Sequence, residues 1–114
     1  MPMPETATLL RIFVGELDRH GGLPLYEAIV MAAREAGLAG ATVIRAVMGY
    51  GASSRVHTAK ILRLSNDLPF IVEIVDSDER IQAFLPRLES MMGSGLVTLE
   101  KATVIRYGDH RPAP

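Results

Sequence analysis

The chain has 114 residues, 48% of them hydrophobic and 22% charged, with a net charge of −1 and no cysteine or tryptophan. That length and composition describe one domain with a real core, while the near-zero charge and scarce aromatics argue against a nucleic-acid partner. Disulfides, thiolate zinc sites and a cysteine nucleophile are excluded, and no apolar run reaches the roughly 20 residues that span a membrane.

The N-terminal MPMPETATLL lacks the basic and apolar regions of a signal peptide, which makes the cytoplasm the expected location. Residues 1–7 read as a disordered tail. Thr8–Val14, TLLRIFV, is the first strand, rich in apolar and β-branched residues. A loop with Gly21 and Gly22 follows, and Pro24 opens a first helix over 24–36, its apolar stripe formed by Leu25, Ala28, Ile29, Ala32 and Ala36. Strand two covers about 41–49. The segment 58–64 is either extended or part of a folded loop. PFIVEIV, 69–75, is a strong strand, and Asp76 or Ser77 caps a second helix striped by Ile81, Phe84, Leu85 and Leu88. Pro86 falls within that stripe and predicts a kink or an early break. MGSG, 92–95, ends the helix, 96–107 is the last strand, and 108–114 is a polar tail.

The order is βαββαβ. It predicts an α+β, ferredoxin-like sandwich over 8–107, a four-stranded antiparallel sheet with two helices on one face. Period-two alternation assigns Phe13, Val43, Val47, Ile71 and Val75 to the helix-free face, with Arg11, Arg45 and Glu73 among them. Such an apolar face predicts oligomerisation with its charges paired; the alternative is a mixed face in contact with water.

The stretch GYGASSRVHT, 49–58, is too long and polar for a plain hairpin turn. Gly49, Tyr50 and Gly51 allow close backbone approach to a ligand, Ser53 and Ser54 offer hydroxyls, and Arg55 and His57 add charge suited to phosphate. The competing reading is a loop without a ligand. Gly93, Ser94 and Gly95 form a second glycine-rich turn, which also reads as a simple helix stop. His20, His57 and His110 lack metal-ligand spacing. Ser53, Ser54 and His57 form no G-x-S-x-G elbow, and no nucleophile with a base or acid–base pair is legible, so an enzyme is not expected.

These residues resemble the PII-like proteins. The runs DRHGGLPLYEAIV, AGLAGATVIRAVMGYGASSRVHTAKILRLSNDLPFIVEIVD and GLVTLEKATVIRY are similar to the PII-related family called domain of unknown function 190, over about 8–107. The resemblance implies a homotrimer whose sheets face its centre. It also implies a nucleotide site between subunits for AMP, ADP or ATP, formed by Gly49, Tyr50 and Gly51 with Gly93, Ser94 and Gly95, and with Lys101 on the strand beyond. The 50–68 loop would then contact a partner protein, such as a transporter. The chain departs from the PII pattern in one respect: Gly95 is followed by Leu96 and Val97, with no basic residue inside the glycine-rich turn. The alternative reading is a divalent-cation-binding trimer resembling the copper-tolerance proteins of the same fold, motivated by His57 and His110.

Overall fold

The computed structural model describes residues 3–51 and 68–112. The main sheet has four antiparallel strands: β1 (Thr6–Gly15), β4 (Thr42–Arg45), β5 (Pro69–Asp76) and β6 (Leu96–Thr103), in the spatial order β4-β5-β1-β6. Between β1 and helix α1 (Leu25–Glu35) lies a small hairpin, β2 (Arg19–His20) with β3 (Leu23–Pro24). Helix α2 (Asp78–Met91) joins β5 to β6. This is the expected βαββαβ sandwich.

Alternation drives the layering. On β1, Leu10, Ile12 and Val14 are buried while Leu9, Arg11 and Phe13 are half-buried; on β5, Phe70, Val72 and Ile74 are buried while Ile71, Glu73 and Val75 are not. The buried set packs against Leu25, Ile29, Ala32 and Ala33 of α1 and Ile81, Phe84 and Leu88 of α2. Each fully buried aliphatic side chain contributes about 1.5–3 kcal/mol relative to exposure. The Tyr26 ring lies 4.3 Å from that of Phe70, tilted by 51°.

Local chemistry sets the element ends. Ser77 caps α2 by accepting from Arg80 N at 3.3 Å. The buried Asp76 carboxylate accepts from Ala39 N at 2.9 Å and Ser77 N at 2.7 Å, which ties the crossing into β4 to the start of α2. Pro86 does not interrupt α2, which continues to Met91. The short hairpin, expected only as loop, exists because Gly21 (φ 57°) and Gly22 (φ 81°) both take the left-handed conformation that a two-residue turn requires.

The ends of the strands differ from the sequence reading. β1 begins at Thr6 and Met3 is buried, so ordered structure starts inside the expected tail. β6 ends at Thr103; residues 104–107 then lead to a bond from Tyr107 Oη to the Ala39 carbonyl at 2.7 Å. A turn pairs Tyr107, where the expected last strand ends, with His110 in the expected polar tail. The 58–64 segment lies outside the described residues.

The largest difference is on β4, which is four residues long and has the opposite parity. Thr42 pairs with Glu73 and Ile44 with Ile71, so Thr42 and Ile44 lie on the helix-free face, and Val43 and Arg45 lie on the helix side. Val47 is beyond the strand and 84% exposed. A one-residue change of register exchanges the two faces, and an edge strand with apolar residues on both sides does not announce its parity. The helix-free face therefore carries Leu9, Phe13, Ile44, Ile71, Val75 and Leu96. At its centre Arg11 bridges Glu73 at 2.9 Å and Glu100 at 3.0 Å within the protomer, while Arg45, expected on this face, instead meets Glu16. The hydrogen bond to Glu73 raises the Arg11 pKa, and the Glu100 charge adds to it.

Candidate ligand site

One end of the sheet collects the glycine turns. β4 finishes there at Arg45, β5 starts at Pro69, β1 finishes at Gly15 and β6 starts at Leu96. Gly15 faces Pro69, Arg45 faces Phe70, and Phe13 faces Leu96. The connections 46–68, 15–18 and 92–95 therefore all leave from the same rim.

The β4–β5 corner is close-packed. Ala46 N donates to the Pro69 carbonyl at 2.9 Å, and Glu16 N donates to the Leu68 carbonyl at 2.8 Å. A Cβ on Gly49 would stand 2.8 Å from Pro69 Cγ, so any other residue there would have to push the Pro69 ring aside. Tyr50 is 78% exposed beside it, and Gly51 is exposed. Ser53, Ser54, Arg55 and His57 lie outside the described residues.

The second turn stands at the β6 edge. Gly93 and Ser94 are exposed, and Gly95 has φ 136°. A Cβ on Gly95 would come within 2.7 Å of the Phe13 carbonyl oxygen and 2.6 Å of Met92 Cε. α2 already ends on an extended Met92, so Gly95 serves the entry into β6 rather than stopping the helix.

β4 and β6 are the two edges of the sheet. With about 4.8 Å between neighbouring strands, the edges lie roughly 14 Å apart. One protomer thus brings both glycine turns to one rim but not together; a ligand touching both spans the rim or lies between two protomers. Lys101 is not part of this rim within a protomer. It pairs with Thr8 on the helix side of the sheet, roughly 17 Å along β6 from Leu96 at about 3.4 Å per residue.

Two residues at the rim were not singled out as ligand groups from sequence. Arg45 Nη2 meets Glu16 Oε2 at 3.3 Å, across the end of β5, with side-chain exposures of 54% and 26%. The other Glu16 oxygen, Oε1, is closed off from solvent and has no hydrogen-bond partner among the described residues. Their sequence signals were an acid just after the first strand and a basic residue at the end of the second.

At the opposite end, a groove of about 390 Å³ lies on the helix-free face between Leu9, Val75 and Ala102 on the sheet and Arg106 and Tyr107 beyond β6. It is well separated from both glycine turns.

Comparison with known proteins accounts for this architecture. The family model DUF190, described as Uncharacterized ACR, matches residues 7–104. A UPF0166 protein of Aquifex aeolicus is 42% identical over 97 residues, covering 85% of this chain and 91% of that protein. A UPF0166 protein of Methanocaldococcus jannaschii is 36% identical over 101 residues, covering 88% and 93%. Among solved structures, a protein described as PII-like and signalling, from Thermus thermophilus, superposes with a TM-score of 0.62 at 20% identity, covering 91% of this chain and 93% of that one. CPII from Thiomonas intermedia, bound to ADP and bicarbonate, gives 0.55 at 20% identity, covering 89% and 90%. The chain belongs to the DUF190 family and has the PII-like, ferredoxin-type fold.

Proposed function

We propose that this protein is a non-catalytic, PII-like regulator in the cytoplasm that binds an adenine nucleotide and acts on a partner protein through the 50–68 loop. The observation that carries this reading is the arrival of the Gly49–Gly51 and Gly93–Gly95 turns at one rim of a PII-like sheet. It is supported by the ADP held by the similarly folded CPII. The wide separation of the turns favours a site between protomers, and the apolar helix-free face with its central ion pairs favours a homotrimer closed around that face. Among the described residues, no helix is long and apolar enough to cross a membrane.

The test is calorimetric titration with AMP, ADP, ATP and cyclic AMP, with and without magnesium, on protein of known mass in solution. One nucleotide per chain in a trimer is expected. Arg55→Ala should abolish binding while leaving the assembly intact. An intact trimer that binds none of the four refutes the nucleotide reading. The divalent-cation alternative gains no support from the described residues, among which no three His, Cys, Asp or Glu side chains are grouped to hold a metal.

A further inference from the structure

Among the described residues, the rim holds an acceptor without a donor and a cation with donors to spare. Glu16 Oε1 is buried and unpartnered among the described residues. A buried polar atom left in this way calls for an explanation, because its desolvation is not offset. Beside it, Arg45 makes a single polar side-chain contact among the described residues, Nη2 to Glu16 Oε2 at 3.3 Å, and its side chain is more than half exposed. A guanidinium has five N–H donors in a rigid fork, so most of Arg45 remains available for an anion.

The two groups sit at the corner already described. Glu16 is fastened to the start of β5 by its N–H to the Leu68 carbonyl. Ala46, next to Arg45, is fastened to Pro69, the residue against which Gly49 packs. Backbone bonds on both sides thus fix the Glu16–Arg45 pair below the first glycine turn. The second turn, Gly93, Ser94 and Gly95, contains no basic residue.

We infer that Arg45 is the phosphate-contacting cation of this site and that Glu16 is the residue that positions it. The inference rests on the proposed nucleotide reading and extends it to residues outside the glycine turns. Glu16 Oε2 holds one edge of the guanidinium and directs the other towards the rim, where a phosphate can be bound by a fork. Oε1 of the same carboxylate keeps its acceptor capacity among the described residues, so a ligand hydroxyl that reaches it can donate without disturbing the Oε2 contact. A phosphorylated molecule that also carries a sugar hydroxyl meets both demands; a bare polyanion meets only one.

The experiment titrates ADP and pyrophosphate into the full-length protein and its variants, with assembly mass and melting temperature recorded for each. Arg45→Gln should weaken ADP binding by about tenfold or more with the assembly unchanged, and Arg45→Lys should fall between it and the parent. Glu16→Gln should weaken ADP several-fold while the unliganded melting temperature holds or rises, an outcome that a merely structural role would not give. Arg45→Gln binding ADP within about twofold of the parent overturns the inference and leaves the nucleotide reading standing. Should the parent bind no nucleotide, that reading fails, and the ¹⁵Nε–Hε signal of Arg45 under millimolar pyrophosphate decides the pair. A saturable shift, absent in Arg45→Gln, supports it; no shift overturns it.

Discussion

The two glycine turns look alike in sequence and are held by different physics. At 93–95 the demand is for backbone conformation: Gly95 lies at φ 136° with its missing Cβ aimed at the Phe13 carbonyl oxygen, which the β1–β6 pairing holds in place. At 49–51 the demand is for space: Gly49 has no positive φ, and its neighbour is the Pro69 ring. A Cβ on Gly93 would meet nothing within 4 Å among the described residues. Gly95 is thus accounted for by the entry into β6 without any ligand. Gly93, Ser94 and the open side of the first turn are where a ligand has room.

Substitutions sharpen this contrast. Gly95→Ala should have the largest effect, about 3 kcal/mol, because a left-handed extended φ and a backbone collision combine; urea unfolding of the variant would read it, and an unchanged midpoint would remove the distinction between the turns. Gly49→Ala should cost about 1 kcal/mol, since a proline ring can shift by tenths of an ångström where a carbonyl in a ladder cannot. Pairing it with Pro69→Ala should recover most of that loss; a double-mutant cycle with no coupling would show that Pro69 is not what excludes the side chain. Gly93→Ala should lie within about 0.5 kcal/mol of the parent in stability. Its effect should appear in nucleotide affinity instead, and a variant that binds normally would take the second turn out of the site.

The same contrast marks what the sequence could disclose. Element order followed from periodicity, because Leu10, Ile12, Val14 and Phe70, Val72, Ile74 alternate against polar or half-buried neighbours. The parity of β4 did not, because Thr42 to Arg45 is short, lies at an edge and carries apolar groups on both sides. Gly95 read as a helix stop, since a sequence shows that a glycine is present but not which carbonyl is opposite it. Glu16 drew no reading of its own from the loop it opens: its contacts are with Arg45, 29 positions away, and Leu68, neither of which any local pattern connects to it.

Strand β1 lies inside the sheet, with β5 and β6 as its neighbours. Its partners arrive late. Thr8 pairs with Asp76 and Lys101, and Phe13 with Ile71 and Leu96. During synthesis this apolar strand emerges ahead of both neighbours: one edge waits for β5, which ends at Asp76, and the other for β6, which ends at Thr103. Contacts so distant in sequence slow folding, and an unpaired apolar strand in the meantime invites association with other chains. For this molecule the hazardous interval is set by translation of its last strand, and a truncation before residue 96 would leave one side of β1 open permanently.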